Sequence, residues 1–237
     1  MTQRHNPNIT LEWMREGTDH LLTIVEMTDD HELSASSRLP LWTRAQVVGH
    51  VARNAEALAR LATWASTGVE TPMYASREQR NDEIESTAAL PPPALRALLI
   101  DSAERLDDAL DELDDTSWTA TVRSALGRII PAAEIPWMRV REVWLHAIDV
   151  GANIGFGDLP AGAIDLLLDD TVAVLSSREG CPSIILAPTD RSRTWKLGST
   201  APDSEVDQVP AALLAEWLTG RAPNDRASSL PSVPAWI

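Results

Sequence analysis

Four stretches of this chain carry apolar residues at the spacing of one helix face, and four such stretches in a row leave little choice but a helical bundle. The first runs from about Asn8 to Thr28, with Leu11, Met14, Thr18, Leu21, Leu22 and Val25 on its stripe. The second opens at Thr43, with Gln46 three residues later, the pattern of a capping box. It continues through Val47, Val51, Leu58, Leu61 and Ala65 to about Ser66 and stops near Gly68. The third covers Pro93 to Leu113, with Leu95, Leu98, Leu99, Ala103, Leu106 and Leu110 inward. The fourth begins at Ile135, with Pro136 suited to a first turn, and ends before Gly151. The polar, proline-bounded segments 29–40 and 70–93 read as loops, the second holding a short helix at about Arg77 to Ser86. In 114–131, Trp118, Val122, Leu126 and Ile130 fit either a helical stripe or a looser connection.

After Gly151 the pattern changes. The Gly-rich run GANIGFGDLPAG reads as a linker or exposed loop. Ile164 to Ser176 reads as a helix, while SIILA (Ser183 to Ala187) and RTWKL (Arg193 to Leu197) read as two strands of a hairpin. Pro210 to Thr219 is a short helix stopped by Gly220, and the Pro- and Ser-rich tail from Ala222 is expected at the surface. The expected organisation is α plus α/β: a four-helix bundle over residues 1–152 and a small α/β domain over residues 153–237.

Composition narrows the partners. The 237 residues hold 20 Lys+Arg against 35 Asp+Glu, a net charge of −15, which argues against nucleic acid or an anionic membrane as partner. A small anionic substrate needs only one or two well-placed arginines and stays compatible. A single cysteine, Cys181, excludes an intrachain disulfide and any multi-cysteine metal cluster, and with no activating neighbour it reads as structural. The start, MTQRHNPNIT, has no apolar signal-peptide core, and no run of ~18 apolar residues suggests a membrane span. The expectation is a soluble, cytoplasmic monomer.

The residues that carry chemistry break the stripes. His50 and Asn54 lie on or beside the apolar face of the second helix, where a buried polar group must find a partner. Glu142 and His146 stand at i, i+4 and leave the fourth helix on the same side. Two imidazoles and a carboxylate are the ligand set of an open, catalytic-type zinc site. Read from spacing alone, His50 is equally a satisfied core histidine, and Glu142 with His146 a solvated surface pair. Asp149 reads as a fourth ligand, an acceptor behind His146 or a helix-end carboxylate, the last two being favoured. Arg221 is either a charge at a helix C-terminus or a bidentate clamp on a substrate carboxylate. Arg80 reads first as a solvated helix charge and second as a substrate ligand. His5, His20 and His31 are poorer ligand candidates.

The segments LWTRAQVVGHVARNAEAL (Leu41 to Leu58) and VREVWLHAIDVG (Val140 to Gly151) resemble the two signature segments of the mycothiol-dependent maleylpyruvate isomerases. VPAALLAEWLTGRAP (Val209 to Pro223) resembles that family's C-terminal helix and Gly-Arg ending. The resemblance covers nearly the whole chain. Its first segment is shared by the wider DinB-like superfamily of thiol-using bundles, while Glu-x-x-x-His with the Gly-Arg ending is more specific. The resemblance implies a DinB-like bundle with zinc on His50, Glu142 and His146, and an essential arginine at Arg221. It also implies mycothiol as cosubstrate, the isomerisation of maleylpyruvate to fumarylpyruvate in gentisate breakdown, and an actinobacterial cytoplasm.

The implied chemistry suits the residues. A cis double bond conjugated to a ketone does not rotate until a thiolate adds to it, and this chain has no cysteine placed to add. An external thiol held on zinc and an arginine on a substrate carboxylate would complete the set, with His50 and Arg221 as the catalytic residues, Arg80 as a further substrate contact, and Asp149 and Asn54 supporting the ligands. The alternatives are another mycothiol-dependent transferase or detoxifying enzyme of this fold, or a non-enzymatic metal-binding regulatory module. Fe²⁺ or Ni²⁺ could take the same ligands.

Overall fold

The structure, a computed structural model, describes residues 3–151, 153–199, 204–206, 208–223 and 230–236, with backbone only at Ser204 and Glu205. The chain divides into two compact units, Met1–Ile154 and Gly155–Ile237. The first holds α1 (Pro7–Met27), α2 (Arg44–Thr67), α3 (Arg77–Ala88), α4 (Pro92–Asp111), α5 (Asp115–Thr119) and α6 (Ile135–Val150). The four long helices are the four expected from periodicity, each within a residue or two of the expected ends.

Helix α2 is the central element. It packs along α4 and α6 and carries α3 on another side, while α1 runs along α6. Its ends are set locally. The Thr43 hydroxyl accepts from the Gln46 backbone N–H at 3.2 Å and the Gln46 side chain accepts from the Thr43 N–H at 2.8 Å, so the capping box forms. Gly68 ends the helix with φ +73°, a conformation that costs a residue with a Cβ. Val47, Val48, Val51, Ala52, Ala55, Ala57, Leu58, Leu61 and Ala62 are all fully buried, so α2 is covered over most of its circumference and keeps one polar stripe at Gln46, Arg53, Glu56 and Arg60.

Helices α1 and α6 approach closely at Gly17. A Cβ there would lie 2.5–2.7 Å from the Trp144 ring and the Val143 side chain. The indole N–H of Trp144 donates to the Trp13 carbonyl at 2.9 Å, fixing the ring that Gly17 accommodates.

Three sequence expectations need correction. Segment 114–131 is neither a helical stripe nor a loose connection. After the one-turn α5 it forms a hairpin of β1 (Thr121–Arg123) and β2 (Ile129–Pro131). Val122 and Ile130 point inward and Leu126 sits exposed at the turn, where Gly127 takes φ +79°. The run after Gly151 is not an exposed loop, because Ile154, Phe156 and Leu159 are buried around a 3₁₀ turn at Phe156–Asp158; Ala152 of that run lies outside the described residues. The tail is not wholly at the surface either. Residues 224–229 lie outside the described residues, but Trp236 is buried and the Arg178 guanidinium donates to the carbonyls of Ala235 and Trp236.

The second unit contains α7 (Ala161–Leu175), α8 (Ala211–Leu218) and a three-stranded sheet. β3 (Ile184–Leu186) and β4 (Trp195–Leu197) form the expected antiparallel hairpin. A third strand, β5 (Ser204–Val206), pairs parallel to β3 on its other side and was not legible as a strand. Ile184, Leu186, Trp195 and Leu197 are buried, and α7 packs on α8 and on β4. Among the described residues no helix is long and apolar enough to cross a membrane.

The Gly17 contact yields a test. Gly17→Ala should destabilise the protein by about 1–3 kcal/mol, the usual cost of overpacking. It should do so although alanine is the better helix former by about 1 kcal/mol. Urea denaturation followed by tryptophan fluorescence measures the difference; an unchanged or raised midpoint would show that α1 and α6 are not pinned there.

Candidate metal centre

His50 comes from α2, and Glu142 and His146 come from successive turns of α6. The packing of α2 on α6 brings one ligand atom from each within 4.8 Å of the other two. His50 Nε2 lies 2.9 Å from Glu142 Oε2, and His146 Nε2 lies 3.3 Å from the same oxygen. The two rings stand edge to face, centroids 5.0 Å apart. Both histidines are 7% exposed, whereas the Glu142 side chain keeps 26% of its surface open. The cluster is therefore walled on the histidine side and reachable on the carboxylate side.

These donors fit a divalent cation. Bonds of about 2.1 Å arranged tetrahedrally put ligand atoms about 3.4 Å apart, close to the two separations observed. The tautomer of His146 is also suitable. Asp149, 1% exposed, has Oδ2 2.9 Å from His146 Nδ1, so it holds that nitrogen's proton and leaves Nε2 free to ligate. The Arg80 guanidinium lies 3.3 Å from His50 Nδ1. A guanidinium only donates, so this contact puts the His50 proton on Nε2, facing Glu142. A cation on Nε2 would move that proton to Nδ1 and end the Arg80 contact.

The electrostatics of the three groups are coupled. Burial opposes the charge on Glu142, but the two histidines outweigh it and hold the carboxyl well below its ordinary range. Burial lowers His50, with Glu142 pulling the other way. Burial also opposes charge on His146, yet its hydrogen bonds to Asp149 and Glu142 overcome this and raise it.

The other candidates fall as follows. Asn54 is buried but does not reach the triad; its side-chain oxygen accepts from Arg139 at 3.0 Å. Arg80, on α3, is no simple solvated charge, since it contacts His50 and lies 5.9 Å from the centre of the Tyr74 ring. Arg221 lies in the second unit just past α8; its backbone N–H bonds to the Glu216 carbonyl and its guanidinium to the Thr219 carbonyl. His5 pairs with Glu134, and the His20 ring lies tilted against Trp144, centroids 5.0 Å apart. Burial raises the Cys181 thiol, the opposite of activation. Sequence reasoning missed Trp42, whose ring meets His50 edge to face, as well as Tyr74 and Arg139. Only Arg139 left a signal, as a charge three residues before Glu142 on the same inward stripe.

Fold and site together define a helical-bundle protein with a candidate two-histidine, one-carboxylate metal centre. A family model, the mycothiol maleylpyruvate isomerase N-terminal domain, matches residues 14–151. A crystal structure of a mycothiol-dependent maleylpyruvate isomerase is 36% identical over 100% of both chains, with a TM-score of 0.90. A histidine-to-alanine mutant of such an enzyme matches with the same identity and coverage at 0.89. YfiT from Bacillus subtilis, described as a probable metal-dependent hydrolase with an unusual four-helix bundle topology, matches 61% of this chain and 85% of its own at 22% identity and TM-score 0.51, a likeness of fold. A search of curated proteins gives no significant match. The chain belongs to the mycothiol maleylpyruvate isomerase family.

In the metal-free protein the two triad histidines should titrate on opposite sides of the ordinary imidazole value, His146 above it and His50 below. A proton must leave His146 before its nitrogen can ligate, so cation affinity should rise with pH through the His146 midpoint. Ring-nitrogen NMR with a parallel zinc titration measures both; midpoints in the reverse order would contradict the geometry.

Proposed function

We propose that this chain isomerises maleylpyruvate to fumarylpyruvate with mycothiol as thiol cosubstrate, as a step of gentisate degradation. The meeting of His50, Glu142 and His146 at one point is the observation that carries the reading. These three residues would hold a divalent cation, zinc being the expected one, and the cation would keep a thiol ionised near neutral pH.

The reaction requires little acid–base chemistry. The thiolate sulfur adds to one alkene carbon, and the electron pair of the double bond moves onto the conjugated ketone as an enolate. The former double bond, now single, rotates. The enolate then collapses, the carbon–sulfur bond breaks, and the double bond re-forms as trans. The sulfur that added also leaves, so no net proton moves and no protein base is consumed.

The residues of the chain have four tasks. His50 and His146 present neutral imidazole nitrogens, so with Glu142 the site keeps a charge of about +1 around a dication, which favours an anionic sulfur. Asp149 holds the His146 ring in the ligating tautomer. Arg80 is the residue we assign to a substrate carboxylate beside His50, since proton relocation on that ring frees its guanidinium. Arg221 is assigned a carboxylate or the enolate charge on the family's Gly-Arg ending alone.

Purified protein should turn over maleylpyruvate only with mycothiol present, and should carry one zinc per chain. Chelation should remove the activity and zinc restore it. His50→Ala should abolish metal binding and lower kcat/KM by at least about a hundredfold, on the scale of a lost metal-held nucleophile. Metal binding without turnover of maleylpyruvate would move the function to another mycothiol-dependent transfer reaction. Arg80→Met and Arg221→Lys should each raise KM for maleylpyruvate while leaving bound zinc unchanged; an unaltered KM removes that arginine from the substrate site.

A further inference from the structure

The bundle interior holds a buried cation that the triad chemistry leaves unexplained. Arg139 lies on α6 three residues before Glu142 and seven before His146, on the same inward stripe, and is 1% exposed. Its Nη1 donates to the Val51 carbonyl at 2.7 Å and to Asn54 Oδ1 at 3.0 Å. Both acceptors are on α2, one beside His50 in sequence and one a helical turn further. Its Nη2 is buried and makes no hydrogen bond among the described residues. Burial pulls the guanidinium down to about 10, with the charge of Glu142 acting the other way, so it remains a cation at neutral pH.

A buried cation with an idle donor is costly, and an apolar side chain of similar length would hold two helices together at least as well. An apolar contact, however, lets helices slide and turn on each other. One donor group bonded to two separate points of α2 does not. Slide and rotation of α6 on α2 are the motions that change the distance from His50 to Glu142 and His146, because those ligands come from the two different helices.

We infer that Arg139 is a positioning residue of the triad: through Val51 and Asn54 it sets the register of α6 on α2, and so the separation of His50 from Glu142 and His146. The inference rests on the triad being a cation site. It also gives Asn54 a role at one remove, as the anchor of Arg139 rather than as a partner of any ligand.

Arg139→Met keeps the length of the side chain and removes its donors. Zinc affinity, measured by competition with a chromophoric chelator, should fall by about tenfold, the low end of the loss when an outer support of a metal ligand is removed. The visible spectrum of the Co²⁺-loaded protein should shift, while the metal-free protein should unfold at the native Tm or above it. Loss of a nearby positive charge would by itself tighten cation binding, so a weaker site cannot be put down to charge. Asn54→Ala removes one of the two anchors and should weaken zinc in the same direction by a smaller factor, which keeps the test open if the methionine variant does not fold. Unchanged or tighter zinc binding with an unaltered Co²⁺ spectrum in whichever variant folds overturns the inference. A native chain that binds neither metal overturns the reading of the triad, and the inference with it.

Discussion

The first unit is organised around a carboxylate that two helices share. Glu142 sits on α6 with one imidazole from its own helix at 3.3 Å and one from α2 at 2.9 Å. A carboxylate in a partly desolvated interior needs positive charge close by, and the two imidazoles can supply it only by taking up protons or by sharing a cation. Either way the site cannot form unless α2 and α6 sit at one register. The Arg139 bridge joins those two helices directly, while the capping box fixes the start of α2 and the close packing at Gly17 seats α6 on α1.

The helices and the three candidate ligands were legible because each rests on local periodicity. Stripes at 3.6-residue spacing mark α1, α2, α4 and α6, and the Thr43 and Gln46 pair marks the start of α2. Glu142 and His146 share a face for the same reason, and His50 stands out as a polar residue on an apolar stripe. What was not legible depends on partners distant in sequence. β5 is three residues long and pairs parallel to a strand some twenty residues earlier, so no turn signal announces it. The run after Gly151 is rich in glycine and so reads as loop, yet Ile154, Phe156 and Leu159 find apolar cover that a local window does not contain. Asn54 was singled out correctly as a buried polar group needing a partner, but the partner is Arg139, eighty-five residues away, rather than a ligand of the triad.

Arg80 illustrates how much a single contact alters a reading. On sequence it belongs to a polar helix in a polar stretch, and α3 is indeed mostly exposed. Yet α3 lies along α2, and Gly49 allows that approach, because a Cβ at this position would stand 3.3 Å from the backbone of Ala88 and of Ile84. The approach carries the Arg80 guanidinium to His50 Nδ1, and the Tyr74 ring lies 5.9 Å from Arg80 and 6.0 Å from Arg60. A side chain that reads as solvated thus becomes part of the wall of the candidate site because Gly49, on the helix that α3 packs against, is small.

A chain of net charge −15 is an unpromising receptor for a dianionic substrate if charge is counted globally. Counted locally the balance reverses. Screening at physiological ionic strength limits an exposed charge to about 8 Å, so acidic side chains beyond that distance contribute little at the triad. Within the partly desolvated site the relevant charges are Glu142 and Asp149 against Arg80 and Arg139, which balance; a divalent cation on neutral His50 and His146 would add two positive charges and tip the site positive. Buried charges are screened least, so these few groups, rather than the acidic surface, set the potential that an incoming thiolate or carboxylate meets. The acidic surface and the anion-favouring site are therefore compatible, because solvent separates the one from the other.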